Sequence, residues 1–384
     1  MTGITNAREY LCRVVSTALN GGECPNLPQN INMNSVVKLA YRNAVQVILY
    51  LSFKDKPEIF SEDIYKKLEE SYKAAVMREA AQQSELLFIK KAFNENGIDF
   101  MLQKGSLLKK LYPEPEMRFM ADIDILVRLK DVKKAEQIIL DRGFSRKMNN
   151  GKDLVLLKEP FLNIELHNAL FVEEDSMHEY FTEVWQRAVY KNNHEYSMTD
   201  NDLYVYVMAH LTEHFKTGGS CFRPTMDIYL LNKHKKESLD FEYINKQFEI
   251  LGIADFAKNI KKISEHWFDN GIADDELELT EKYIVLGAPV ENAGVIAEKR
   301  TSKKSKLATL FYYAFPPISY MKKLYEILEK HPVLLPFCWI ARFFEGGKRA
   351  KSKIDALKSV NNESISKMAE IMKNSGIEES DNKK

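Results

Sequence analysis

Residues 104–124 read KGSLLKKLYPEPEMRFMADID, and the reading of this stretch decides the fold. It opens on a small-residue turn, Lys104-Gly105-Ser106, and closes on two carboxylates, Asp122 and Asp124, with Arg118 in the loop between. Just upstream, GIDFMLQKG alternates Ile98, Phe100 and Leu102 with Asp99, Met101 and Gln103, the period-two pattern of a strand with one buried face. The turn then leads into a short helix, SLLKKLY, which Pro113 stops. ADIDILVRL alternates again: Ile123, Ile125 and Val127 go to the core, which leaves Asp122 and Asp124 together on the opposite face.

Working outward, Asp131 is placed to cap a helix with Val132, Ala135, Ile138 and Ile139 on its inner stripe and Gly143 at its end. Asn150-Gly151 lies between two alternating runs, a hairpin signal. In the next strand, FLNIELH, Leu162, Ile164 and Leu166 face one way, and Asn163, Glu165 and His167 the other. On the N-terminal side the chain is helical to about residue 55, interrupted by the loop GGECPNLPQNINMN. A long helix follows Pro57, with Ser61 as its N-cap and Asn96-Gly97 as its stop. From about residue 170 the chain returns to helices, including VYVMAHLTEHF and RPTMDIYLLNKH. Residues 289–305 read as a polar, basic linker, residues 306–345 are rich in Tyr, Phe and Pro, and the end from Asn374 reads as a disordered tail. The fold class is α+β.

Lys+Arg and Asp+Glu both total 55, so no global field draws the chain to nucleic acid. The four cysteines are scattered with no CxxC pair, which excludes a disulfide framework and a zinc ribbon and fits a reducing cytoplasm. The N-terminus shows no secretory signal, and the longest apolar runs are too short or too interrupted to span a bilayer.

The chemistry follows from the side chains on one strand face. A D-x-D on a strand projects two carboxylates side by side from a rigid element, and hard oxygen ligands suit Mg²⁺. A third carboxylate on a neighbouring strand, Glu165, completes a site for two ions, which together serve attacking and leaving oxygens in phosphoryl-type transfer. The Gly105-Ser106 turn lets backbone N–H groups approach phosphates. Lys104 and Arg118 are placed to neutralise the charge that shifts onto the phosphates of an NTP.

These residues resemble a family. KGS, then Arg118 and DID, then IELH, look like the uncharacterised nucleotidyltransferase family within the DNA polymerase β-like superfamily. Ser106 matches the turn serine, Asp122 and Asp124 the metal pair, and Glu165 the later strand carboxylate. HLTEH followed by Arg223 and Asp227, and the late segment FPPISYMKKLY…LLPFCWIAR, are similar to the helical C-terminal portion of the same family. One departure is the interval from Ser106 to Asp122, longer than the compact superfamily spacing. The resemblance implies a polymerase β-like core, a small mixed sheet with helices, flanked by helical regions. The expected division is a helical N-terminal region (1–90), the nucleotidyltransferase core (91–200), a helical C-terminal region (201–373) and the tail (374–384). It further implies two Mg²⁺ ions, replaceable by Mn²⁺, and transfer of NMP from an NTP, ATP first among them, to a hydroxyl with release of pyrophosphate. Neutral net charge turns the acceptor toward a small molecule or protein rather than nucleic acid.

Other readings compete. His210, Glu213 and His214 match H-x-x-E-H, an inverted zinc-peptidase signature, with Asp227 or Glu237 needed as third ligand. The plainer reading has His167, His210, His214, Arg223 and Asp227 bordering the cleft, with Arg223 and Asp227 as an i,i+4 ion pair. A non-catalytic nucleotide-binding module on the same fold is the other alternative. The aromatic, basic segment 307–349 reads as amphipathic core helices, with docking to a membrane or protein as its alternative.

Overall fold

The computed structural model describes residues 2–149, 153–160, 162–173, 175–218 and 221–287, and, with gaps, parts of 315–345 and 362–377. Three helices open the chain: α1 (Thr2–Asn20), α2 (Met33–Arg42) and α3 (Gln46–Phe53). The side chain of Asn32 accepts from the Ser35 N–H and so starts α2. The long α4 (Glu62–Glu95) follows; Ser61 occupies its N-cap position without a capping side-chain bond. Gly97, at φ +68°, turns the chain out of α4 into the sheet, as the Asn-Gly pair predicts.

The sheet has seven strands, β1 (Phe100–Leu102), β2 (Ile123–Val127), β3 (Ser145–Asn149), β4 (Asp153–Lys158), β5 (Leu162–His167), β6 (Val189–Asn192) and β7 (Glu195–Ser197). They lie in the order β3-β4-β5-β2-β1-β7-β6. β2 runs antiparallel to β1 and parallel to β5; β1 runs parallel to β7. The expected hairpin is present as the antiparallel β3–β4 pair, while its turn, 150–152, lies outside the described residues. The β6–β7 hairpin falls where only helices were expected. These strands are three and four residues long and β6 is exposed throughout, so they leave no alternating apolar run to read.

Two cores hold the sheet. On one face Phe100, Ile123, Ile125, Val127, Leu154, Leu156, Ile164 and Leu166 pack against Leu86, Ile89 and Phe93 of α4, and against Ala135 and Ile139 of α6 (Val132–Asp141). The other face carries Met101 and Leu126, which join the large core of the helical regions. β1 is therefore buried on both faces, not one, and Met101 is as inaccessible as Phe100. That helical core includes α8 (Asp200–Thr217), α9 (Phe222–Lys235), α10 (Phe241–Ile250), α11 (Ala254–Phe268) and α12 (Glu278–Leu286). Thr199 caps α8 by accepting from Asp202 N–H. α5 (Lys104–Leu108) is the short helix after the turn, and α7 (His178–Thr182) leads into the β6–β7 hairpin.

Toward the C-terminus, α13 (Ile327–Lys330) and α14 (Leu335–Glu345) share a small cluster built on Met321, Leu328 and Cys338. α15 (Asn362–Ser375) runs through the start of the expected tail. Asn374 there accepts from Thr280, and Ile377 sits in the large core; the proposed linker, 289–305, lies outside the described residues.

Candidate active site

The parallel register of β2 on β5 sets Asp124 directly beside Glu165 and Leu126 beside His167. Because alternate side chains share a face, Asp124, Glu165 and His167 all point away from the core that holds Ile123, Ile125, Ile164 and Leu166. β4 pairs antiparallel on the far side of β5 and places Asp153 opposite His167. One ligand atom from each of Asp124, Glu165 and His167 falls within a sphere where all lie within 4.8 Å of one another. Asp122, just before β2, is not one of that trio but lines the same cavity.

His167 organises the acids. Its Nε2 lies 2.8 Å from Asp124 and its Nδ1 2.6 Å from Asp153. Two carboxylates accept, so both ring nitrogens donate and the ring is an imidazolium. Burial alone would lower its pKa, but the two hydrogen bonds outweigh that and push it up to about 9. Asp124, only 8% exposed, is opposed by burial, yet the Lys104 ammonium and the His167 bond hold it well below the ordinary carboxylate range. Glu165 goes the other way: burial, then the Asp122 and Asp124 charges, raise it to about 7. Burial and Asp124 raise Asp122 too. Four carboxylates thus crowd one face, and the cluster holds more negative charge than His167 neutralises. The carboxylate oxygens of Asp124 and Glu165, with Asp122 on the same cavity, would suit a hard divalent cation.

The cavity, about 350 Å³, has a second wall from α5, α8 and α9. Lys104 Nζ donates to His210 Nε2 at 2.7 Å, and the His210 and His214 rings meet edge-on with centroids 4.3 Å apart. Burial, then Lys104 and Arg223, depress His214 to about 4, so it is neutral. Arg223 Nη1 donates to the Phe119 carbonyl at 2.7 Å, while its buried Nε has no partner among the described residues. Burial and the neighbouring Arg118 lower the Arg223 pKa. Neither Lys104 nor Arg223 has a carboxylate within ion-pair distance among the described residues. An acidic sheet wall therefore faces a basic helical wall across the cavity.

Arg118 is placed differently from its expected phosphate contact. Its Nε and Nη2 each lie 2.8 Å from Asp227, a bidentate pair 6% and 2% exposed. Tyr112 adds a third bond to Asp227 at 2.8 Å. The i,i+4 pairing of Arg223 with Asp227 is thus replaced: Asp227 belongs to Arg118, and Arg223 turns to Phe119. The long interval before Asp122 is strapped from both sides. Gln82 of α4 donates to the Met120 carbonyl at 3.0 Å, and Lys109 pairs with Glu79. Gly105 is required by this strap, since a Cβ there would lie 2.5 Å from Met120 Sδ and 3.2 Å from Arg118 Nη1. Gly105 lines the cavity. Ser106 does not: it is buried, with its hydroxyl unpartnered among the described residues.

The zinc-peptidase reading finds no third ligand among the described residues. Asp227 is committed to Arg118 and Tyr112, Glu237 is exposed, and His210 accepts from an ammonium. Among the described residues one group of three brings possible ligand atoms together, Asp124, Glu165 and His167, and His167 donates from both ring nitrogens, which leaves the ligand role to the carboxylates. Sequence reasoning missed Asp153. Its clue is its register: it opens DLVLLK, on the same strand face as Val155, next to the site face of β5.

The fold and site define a mixed α/β protein with a carboxylate–histidine cluster at the floor of a two-walled cavity. The chain belongs to the uncharacterised nucleotidyltransferase family, whose model matches residues 29–269. The match takes in the whole sheet and every residue lining the cavity, and stops short of the late aromatic segment. No curated protein and no solved structure matches the chain.

Proposed function

We propose that the protein transfers NMP from an NTP, ATP being the first to test, to a hydroxyl on a small molecule or protein. The observation that carries this is the pairing of Asp124 with Glu165 across parallel strands, facing Lys104 and Arg223 over one cavity. Asp122, Asp124 and Glu165 would hold Mg²⁺, which supplies charge neutralisation on the phosphates and a more acidic acceptor hydroxyl. Lys104 and Arg223 take the triphosphate; neither cation has a carboxylate partner among the described residues, so they gain when an anion enters. Gly105 keeps the α5 end open to the cavity, and Arg118 positions the strap that carries Phe119 and Met120. The acceptor oxygen attacks the α-phosphorus, the bond to pyrophosphate breaks, and the hydroxyl proton passes to Glu165. The free cysteines are in keeping with a cytoplasmic location.

The test is incubation with each α-labelled NTP and Mg²⁺ or Mn²⁺, with and without cell extract. Label appears in one class of acceptor, EDTA abolishes it, and Asp122→Ala and Asp124→Ala each remove it while the fold is kept. Full activity in either variant overturns the assignment. Binding of ATP with Mg²⁺ but no pyrophosphate release with any acceptor would favour the non-catalytic module instead.

A further inference from the structure

The C-terminal helices present an apolar stripe to solvent. Val333, Pro336, Phe337 and Ile340 fall at i, i+3, i+4 and i+7, the spacing that normally marks the core face of a helix. Here that face is open: Val333 is 82% exposed, Phe337 67% and Ile340 57%. The opposite side of α14 is already used. Cys338 is buried on Met321 and Leu328, and Trp339 donates its indole N–H to the Pro316 carbonyl at 2.9 Å, with its ring edge-on to Phe315. The stripe is therefore not a helix turned the wrong way; α14 is apolar on both sides, and one side has no cover among the described residues.

Charge says what suits the open side. In a chain of zero net charge, residues 299–358 carry fourteen Lys and Arg against four Asp and Glu. The rest of the chain is correspondingly acidic. The stripe lies within this basic stretch of sequence, so two copies meeting through it would bring like-charged stretches together, and self-association is opposed. An anionic lipid surface answers both features. It takes up exposed Phe, Ile and Val at the headgroup boundary, and it attracts clustered Lys and Arg. No helix among the described residues is long and apolar enough to cross a membrane, so such binding lies at the surface.

We propose that the Val333–Pro336–Phe337–Ile340 face is a docking surface for anionic membrane lipid. This inference stands apart from the nucleotide site, and neither depends on the other.

The test uses the full chain with two vesicle preparations, pure phosphatidylcholine and phosphatidylcholine with about a third phosphatidylglycerol, in co-sedimentation at about 0.1 M salt and at 1 M salt. The protein pellets with the anionic vesicles, at least tenfold more than with the neutral ones, and high salt reduces this. Phe337→Asp with Ile340→Asp loses the binding by tenfold or more and leaves the melting temperature unchanged, because both side chains are already in water. No preference for anionic vesicles, or unaltered binding by the double variant, overturns the proposal. So does a sedimentation-velocity shift from dimer to monomer in that variant, which would assign the face to a second copy. A fall in its melting temperature would overturn the proposal as well, by showing the stripe to be covered core.

Discussion

Removing one charge from the Arg118–Asp227 pair measures how the cavity is held. In Asp227→Asn the shape is kept, but the guanidinium of Arg118 is left buried without its counter-ion, and the amide offers one acceptor oxygen where the two carboxylate oxygens accepted three bonds. Breaking a buried pair in this way costs about 3–5 kcal/mol, far above the ~0.2–1 kcal/mol of an exposed pair. At roughly 2 °C per kcal/mol for a large unit, the melting temperature falls by about 6–10 °C. The assay is urea denaturation with thermal melting. Replacing both partners with apolar groups of similar volume, Arg118→Met with Asp227→Leu, recovers most of the loss, because no charge is stranded. If Asp227→Asn costs less than ~1 kcal/mol, or if the double variant loses the sum of the singles, the pair is not the buried anchor described here. Arg118 would then be free for the phosphate contact expected from the sequence.

Two further outcomes follow from the same neighbourhood. Gly105→Ala drives a methyl into Met120, an overpacking that costs about 1–3 kcal/mol and outweighs the ~1 kcal/mol gained in helix propensity; in a Met120→Ala background the same change is neutral or stabilising, and equal losses in both backgrounds would remove the steric argument. His214 is neutral when folded because burial holds it near 4, whereas the unfolded chain takes up a proton near the ordinary 6.5. Between those values the unfolded state binds more protons, so this contribution is present above pH 6.5 and is lost as pH falls toward 4. His214→Gln flattens that part of the stability-versus-pH curve, and identical slopes in the two proteins would refute it.

What the sequence disclosed was local, and what it withheld was long-range. Asp122 and Asp124 share a face because alternation along ADIDILV is a property of neighbouring residues, and Glu165 carries its own parity in FLNIELH. That the two strands lie side by side and parallel is not written in either run; it is the register of β2 on β5 that sets Asp124 beside Glu165. The partner of Arg118 was beyond such reasoning. Arg223 sits four residues from Asp227 and carries the right charge, so local spacing favoured the wrong pair. The correct partner comes from more than a hundred residues away, through the packing of α9 against the strap. Alternation along GIDFMLQ puts Met101 on the face away from Phe100, and nothing in a strand's own sequence shows that a distant helical core covers that second face. A lone acid at a strand start, such as Asp153, has many innocent explanations until His167 is found opposite it.

The two walls of the cavity bear on how the protein can be divided. Asp122, Asp124 and Glu165 come from the sheet, while His210, His214 and Arg223 come from helices that follow it in sequence. A fragment ending near residue 200 would keep every carboxylate of the site. It would also strand the Arg118 charge and lay Met101 and Leu126 open to water. The carboxylate wall is therefore not a separable module: gene fusions or truncations that cut between β7 and α8 would lose the second wall of the cavity without touching one of its acids.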